Sequence, residues 1–102
     1  MARLAGLEAP SLADSETSFP ELIDRLQLSI DYLDGFRADQ IDGSEEREIT
    51  VPIGRGEMIT MMGWPFLSMF VLPNVYFHAT TTYAILRHNG VVLGKRDFLG
   101  ES

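Results

Sequence analysis

Apolar residues recurring at three- and four-residue steps mark one helix directly. Phe19, Leu22, Ile23, Leu26, Ile30 and Leu33 make a single stripe, and Asp24, Arg25, Gln27 and Asp31 fall mostly opposite it. Ser18 and Glu21 form an S-x-x-E capping box in front of the stripe, Pro20 sits in the first turn, and Gly35 ends it. Before this helix, "RLAGLEAP" reads as the last turn of another one. Gly6 suits the left-handed position after a helix end, and Pro10 blocks a restart. "RADQIDGSEERE" reads as a solvated acidic loop. Ile49, Val51 and Ile53 then alternate at period two, and "EITVPIG" and "EMITMMG" flank Arg55 between two glycines, which predicts a short β-hairpin. Pro52 places its strand at an edge. From about Pro65 to Asn89 a long, nearly all-apolar helix follows. Pro73 predicts a kink or break near Leu72, and Gly90 provides the stop. The tail "VVLGKRDFLGES" reads as irregular, with Phe98 and Leu99 folded back over a core edge.

The last helix carries the candidate chemistry. Helical spacing sets Asn74, His78, Thr81 or Thr82, and Ile85 on one face, with Phe66, Phe70, Phe77 and Ala84 on an adjacent line. A helix apolar on nearly all sides is expected to be buried on nearly all sides, so these polar atoms need partners inside. Two readings follow. In one, the threonine hydroxyls bond carbonyls a turn back and Asn74 serves a carbonyl that Pro73 leaves free. In the other, Asn74, His78, Thr81 and Thr82 line a small polar pocket that takes a small-molecule ligand, with His78 able to move a proton or hold a metal.

Metal chemistry is short of ligands. His88 lies ten residues beyond His78, about 280° further round and ~15 Å along the axis, so the two cannot share one ion. His88 instead suits the helix C-terminus, where positive charge is favoured. Glu45, Glu46, Glu48 and Glu57 fall in loop or hairpin and read as solvated surface. Arg87 with "GKR" (residues 94–96) is the one basic cluster, suited to Asp97 or to the helix dipole.

Composition narrows the classes further. The 102 residues suffice for one domain, 1–102, and show no internal repeat. The net charge of −7 argues against nucleic acid and against an anionic membrane surface as partners. With no cysteine there is no disulfide, thiolate catalysis or sulfur-held zinc. The apolar run from Trp64 to Ala79 contains Pro73, Asn74 and His78 and is shorter than the ~18–20 residues of a membrane span. The opening "MARLAGLEAP" has one Arg and too short an apolar run to read as a secretion signal, so the cytoplasm is the expected compartment. No phosphate loop, nucleophile elbow or H-E-x-x-H occurs, and no cofactor is expected.

The segments "RLAGLEAPSLADSETSFPELIDRL", "LDGF", "DGSEEREITVPIG" and "LPNVYFHATTTYAILRHNGVVLGKRDFLG" together resemble the DUF1993 family of domains of unknown function, a branch of the DinB/YfiT-like superfamily of four-helix bundles. The resemblance implies a mainly α fold in which this chain supplies two long helices and a short β-hairpin. The bundle's first helix and most of its second are expected to be missing, as in a truncated chain. Metal-bearing relatives use one His from the second helix and an H-x-x-x-H pair on the last long helix. By that resemblance His78 matches the second His of the pair and is the only matching ligand position, while Asn74 stands where the first should be.

A non-catalytic binding or interaction role is therefore expected. The alternative is a metal- or His-dependent transferase or isomerase of the same superfamily, with His78 as ligand or general base assisted by Asn74 and Thr82. A fragment with no function of its own is a third class. Two helices and a hairpin cannot cover a helix that is apolar all round, so self-association is expected, most simply as a homodimer that rebuilds a four-helix arrangement.

Overall fold

Helix ends, turns and one hairpin set the local structure, and each is traceable to particular residues. The computed structural model describes residues 1–100. The chain divides into two units, Met1–Trp64 and Pro65–Ser102.

In the first unit the opening residues form the predicted helix end. Leu7 N–H donates to the Ala2 carbonyl (2.9 Å) and Gly6 N–H to the Arg3 carbonyl (3.2 Å), with Gly6 at φ 72°. This is the Schellman pattern, in which a left-handed residue lets two orphan carbonyls find donors. The turn is tied to the hairpin by Arg47, whose guanidinium donates to the Leu4 carbonyl, and by Arg3, which donates to Thr50 O at 3.3 Å. Ala2, Leu4, Ile49 and Val51 are buried there and form this unit's small core. Burying Leu, Ile and Val side chains contributes about 1.5–3 kcal/mol each.

Helix α1 spans Phe19–Asp34 and begins with the predicted capping box. Ser18 Oγ accepts from Glu21 N–H (3.4 Å), and the Glu21 carboxylate accepts from the N–H groups of Ser18 (2.9 Å) and Thr17 (2.7 Å). A short helix, α2 (Ala38–Ile41), follows where a plain loop was expected. Its cause is local: Gln40 Oε1 accepts the Arg37 N–H at 2.8 Å, a cap that charge content alone does not reveal.

Strands β1 (Glu48–Gly54) and β2 (Glu57–Met62) pair antiparallel, with Val51 opposite Ile59 and Pro52 opposite Met58. The alternation of Ile49, Val51 and Ile53 breaks at a register shift between Pro52 and Gly54, so Ile53 is exposed while the other two are buried. Arg55 and Gly56 form a two-residue loop with φ 52° and 79°. Two positive φ values in succession match the twist of a type I′ hairpin turn. Helix α3 is a single turn, Gly63–Pro65. Gly63 is buried with its backbone pressed on the Ser44 carbonyl, and Trp64 N–H donates to Glu45 O at 3.0 Å.

In the second unit the long helix is in two parts. A π-helical segment, Phe66–Val71, leads into α4, Leu72–His88. The expected kink at Pro73 is met by this widened turn. Leu72 N–H reaches back five residues to Leu67 O, and Pro73 then occupies the first turn of α4, where a missing N–H is tolerated. Gly90 ends α4 as predicted, with φ 91°, Gly90 N–H on Arg87 O and Val91 N–H on Leu86 O, each at 3.1 Å. The tail is not wholly irregular. Residues Lys95–Leu99 form α5, capped by the Asp97 carboxylate, which accepts the Gly94 N–H at 2.7 Å. The expected fold-back holds for Phe98, whose ring meets Tyr83 edge-on at 5.8 Å between centroids. Glu101 and Ser102 lie outside the described residues.

Gly63→Ala is expected to cost at least about 2 kcal/mol in a denaturant melt, because its methyl group would overlap the Ser44 carbonyl, a backbone group that cannot swing aside. Arg55→Asn is expected to raise stability by about 0.5–1 kcal/mol in the same measurement, since Asn tolerates the left-handed conformation better than Arg.

Candidate functional site

Helix α4 puts Asn74, His78, Thr81 and Thr82 along one flank, as the spacing predicts. All four are exposed in the single chain. Within its own unit the stripe is left open. The element that packs on α4 from the tail of its unit is α5, five residues long, and a helix of that size covers only the neighbourhood of Tyr83. Phe77 stays 65% exposed, and Val75, Tyr76 and Ile85 are exposed with it.

Two of the four polar side chains bond to the helix itself. Asn74 Nδ2 donates to Phe70 O at 2.7 Å, one carbonyl beyond the Met69 oxygen that Pro73 would serve in regular α register. Thr82 Oγ1 donates to His78 O at 2.8 Å. Both bonds close a local ring over one helical turn, which Asn and Thr can do inside a helix at small cost. Neither is made to the His78 imidazole. That ring lies edge-on to Phe77, 5.3 Å between centroids. Arg87 and His88 stand in the last turn of α4, where the helix dipole favours cations. Arg87 Nη1 donates to Tyr83 Oη at 3.0 Å.

Among the described residues no three His, Cys, Asp or Glu side chains cluster closely enough to hold an ion. Asn74, four residues before His78, offers an amide where a second imidazole would be needed. Among the described residues no helix is long and apolar enough to cross a membrane.

The first unit holds a feature that the hydrophobic pattern does not announce. Arg25, on the polar side of α1, reaches back to the preceding segment. It pairs with Glu16 at 2.6 Å and Asp14 at 3.0 Å and also donates to the Ala13 carbonyl. This straps residues 13–16 along the helix and frames a recess of about 480 Å³ between Leu12, Glu16, Asp24, Arg25 and Leu28. A second recess of about 350 Å³ continues along Pro10, Leu12, Leu28, Tyr32 and Leu33 and is almost entirely apolar. Nothing in the periodicity pointed to it, because the contact joins residues nine to eleven apart across a proline-flanked loop.

The Glu16 carboxyl is held below its ordinary range, first by the hydrogen bond from Arg25, and the Arg25 guanidinium is raised in turn by Glu16. Glu21 is likewise lowered, chiefly by the Thr17 N–H.

These elements define a class of protein, a mainly helical chain with one small antiparallel hairpin. The model of the family described as "Domain of unknown function (DUF1993)" matches residues 1–99, and the chain belongs to that family. It is similar to a crystal structure of a DinB family member protein from Shewanella denitrificans, with 41% identity, a TM-score of 0.84 and 96% of this chain covered. The fold is accordingly DinB-like. The match spans 55% of that protein, so this chain corresponds to about half its length. No curated protein matches the sequence.

Because Glu16 and Glu21 are lowered on folding, their contribution is fully present above the unfolded value of about 4.3 and is lost as pH falls through the lower folded values. Thermal melts between about pH 7 and pH 3 are expected to fall at the acid end. The double variant Glu16→Gln, Glu21→Gln is expected to flatten that limb.

Proposed function

We propose that the chain, as a single DinB-like helical domain over residues 1–102, serves a binding or interaction role and not metal-dependent catalysis. The observation that carries this reading is Asn74 one turn before His78. An uncharged amide oxygen is a poor ligand for zinc or nickel, and the Asn74 amide is oriented along its own helix by the Nδ2 donation to the Phe70 carbonyl at 2.7 Å. His78 is then a solitary imidazole with hydroxyls and an amide beside it. Asn74, His78, Thr81 and Thr82 make a polar strip that, once covered, would form a small pocket with few polar groups on an apolar wall, the usual composition of a small-molecule site.

The helical elements support the same reading at a coarser level. Within this proposal α1 and α4 are two members of a DinB-type bundle. Their apolar sides are contact surfaces for protein, and the cytoplasm is the compartment in which they meet it.

Elemental analysis of the purified chain, with His78→Ala alongside, tests this. Less than one-tenth equivalent of any transition metal in both proteins is the expected result. One equivalent in the parent chain that is lost in His78→Ala would overturn the proposal.

A further inference from the structure

We infer that the recess between α1 and the segment strapped to it binds a small primary amine with an aromatic or branched aliphatic body. The site is separate from the α4 strip and goes beyond the reading given to that strip. Every residue that forms it belongs to the unit Met1–Trp64. It also lies away from the apolar stripe of α1, on the side where Arg25, Leu28 and Tyr32 follow one another at steps of three and four residues.

The body of the ligand is set by the hollow along Pro10, Leu12, Leu28, Tyr32 and Leu33. At about 350 Å³ it falls within the range of small-molecule sites, and its surface is apolar almost throughout. One six-membered ring with a short chain fits that space. The strap forms the outer wall, and Arg25 ties it down through Glu16 at 2.6 Å, Asp14 at 3.0 Å and the Ala13 carbonyl. A wall tied at three points is formed before any ligand arrives, so little ordering is left for binding to supply.

Charge decides the end group. Leu12 and Leu28 also line the neighbouring hollow, whose charged residues are Glu16, Glu21, Asp24 and Arg25. Arg25 is already paired with Glu16 and Asp14. The Glu21 carboxylate accepts the N–H groups of Thr17 and Ser18. Asp24 makes no hydrogen bond or ion pair among the described residues. It stands one turn before Leu28 on the helix surface, about 5–6 Å away between Cβ atoms. A body that rests on Leu28 and reaches toward Tyr32 therefore brings its other end to Asp24. An ammonium there meets a free carboxylate, in a chain whose net charge of −7 draws cations. A carboxylate end would have to take Arg25 from Glu16 and Asp14 while facing Asp24 and Glu21, so the same groups that accept an amine reject an acid.

NMR titration of the full chain at pH about 7 tests the inference with three probes that share one ring and differ in end group: 2-phenylethylamine, 2-phenylethanol and 3-phenylpropionate. At millimolar concentration the amine is expected to shift the side-chain resonances of Leu12, Leu28 and Tyr32. It is expected to bind about 5-fold more tightly than the alcohol and at least about 10-fold more tightly than the carboxylate. Asp24→Asn, at an exposed position that the fold tolerates, is expected to bring the amine level with the alcohol and leave the alcohol unchanged. Leu12→Ala, in the strap, is expected to weaken the amine at least about 5-fold by removing apolar wall. No shift with any probe, a carboxylate that binds as well as the amine, or a preference for the amine that survives Asp24→Asn would each overturn the site. Shifts confined to Asn74, His78 and Thr82 would overturn it too, while supporting the pocket proposed on α4. Stoichiometric metal held through His78 would sink the functional proposal and leave this site standing.

Discussion

Apolar side chains must be removed from water for a chain of this size to hold a fold, and how far each part of this chain achieves it governs the rest of its structure. The hairpin unit does so. Its opening turn lays Ala2 and Leu4 against Ile49 and Val51, and Arg47 and Arg3 bind the turn's backbone to the strand. The helices follow a different course. Helix α1 opens on a capping box and α4 continues from the π-helical segment, yet α1 and α4 contribute no buried residue to a core. Helix capping fixes where such an element starts and stops and is worth about 1 kcal/mol at each end. Burial of an apolar face stabilises a helix far more.

The polar residues of α4 look functional in the sequence because they interrupt an apolar run. In the folded chain two of the four direct their donors at the helix itself. Pro73 withholds one N–H, the widened turn before it absorbs the change of register, and Asn74 and Thr82 return their donors to carbonyls four residues back. What remains distinctive is His78, with no imidazole or carboxylate near enough to complete a metal site among the described residues. Membership of the DUF1993 family and likeness to a DinB family protein thus give a fold and no reaction.

Local rules made much of this legible. The Ser18–Glu21 box, the left-handed glycines at 6 and 90 and the Gly-Arg-Gly turn are sequence signals whose geometry depends on a few neighbouring residues, so they can be read in place. Helices α2 and α5 were hidden because their caps use Gln40 and Asp97 within segments whose overall charge resembles loop. The strap made by Arg25 on Asp14 and Glu16 was hidden for a different reason. Salt bridges across a loop depend on how the loop returns, and composition does not record that path.

By itself the sequence determined the two long helices and the hairpin, the helix stops and the edge character of the Pro52 strand, because each follows from residue type and spacing over a few positions. Only the tertiary structure decided which apolar positions found cover. Ile49 and Val51 are enclosed while Phe77 and Leu26, no less apolar, are left open. Burial is a property of what lies opposite a side chain, and one strand had a neighbour of the right shape within its own unit where the helices did not.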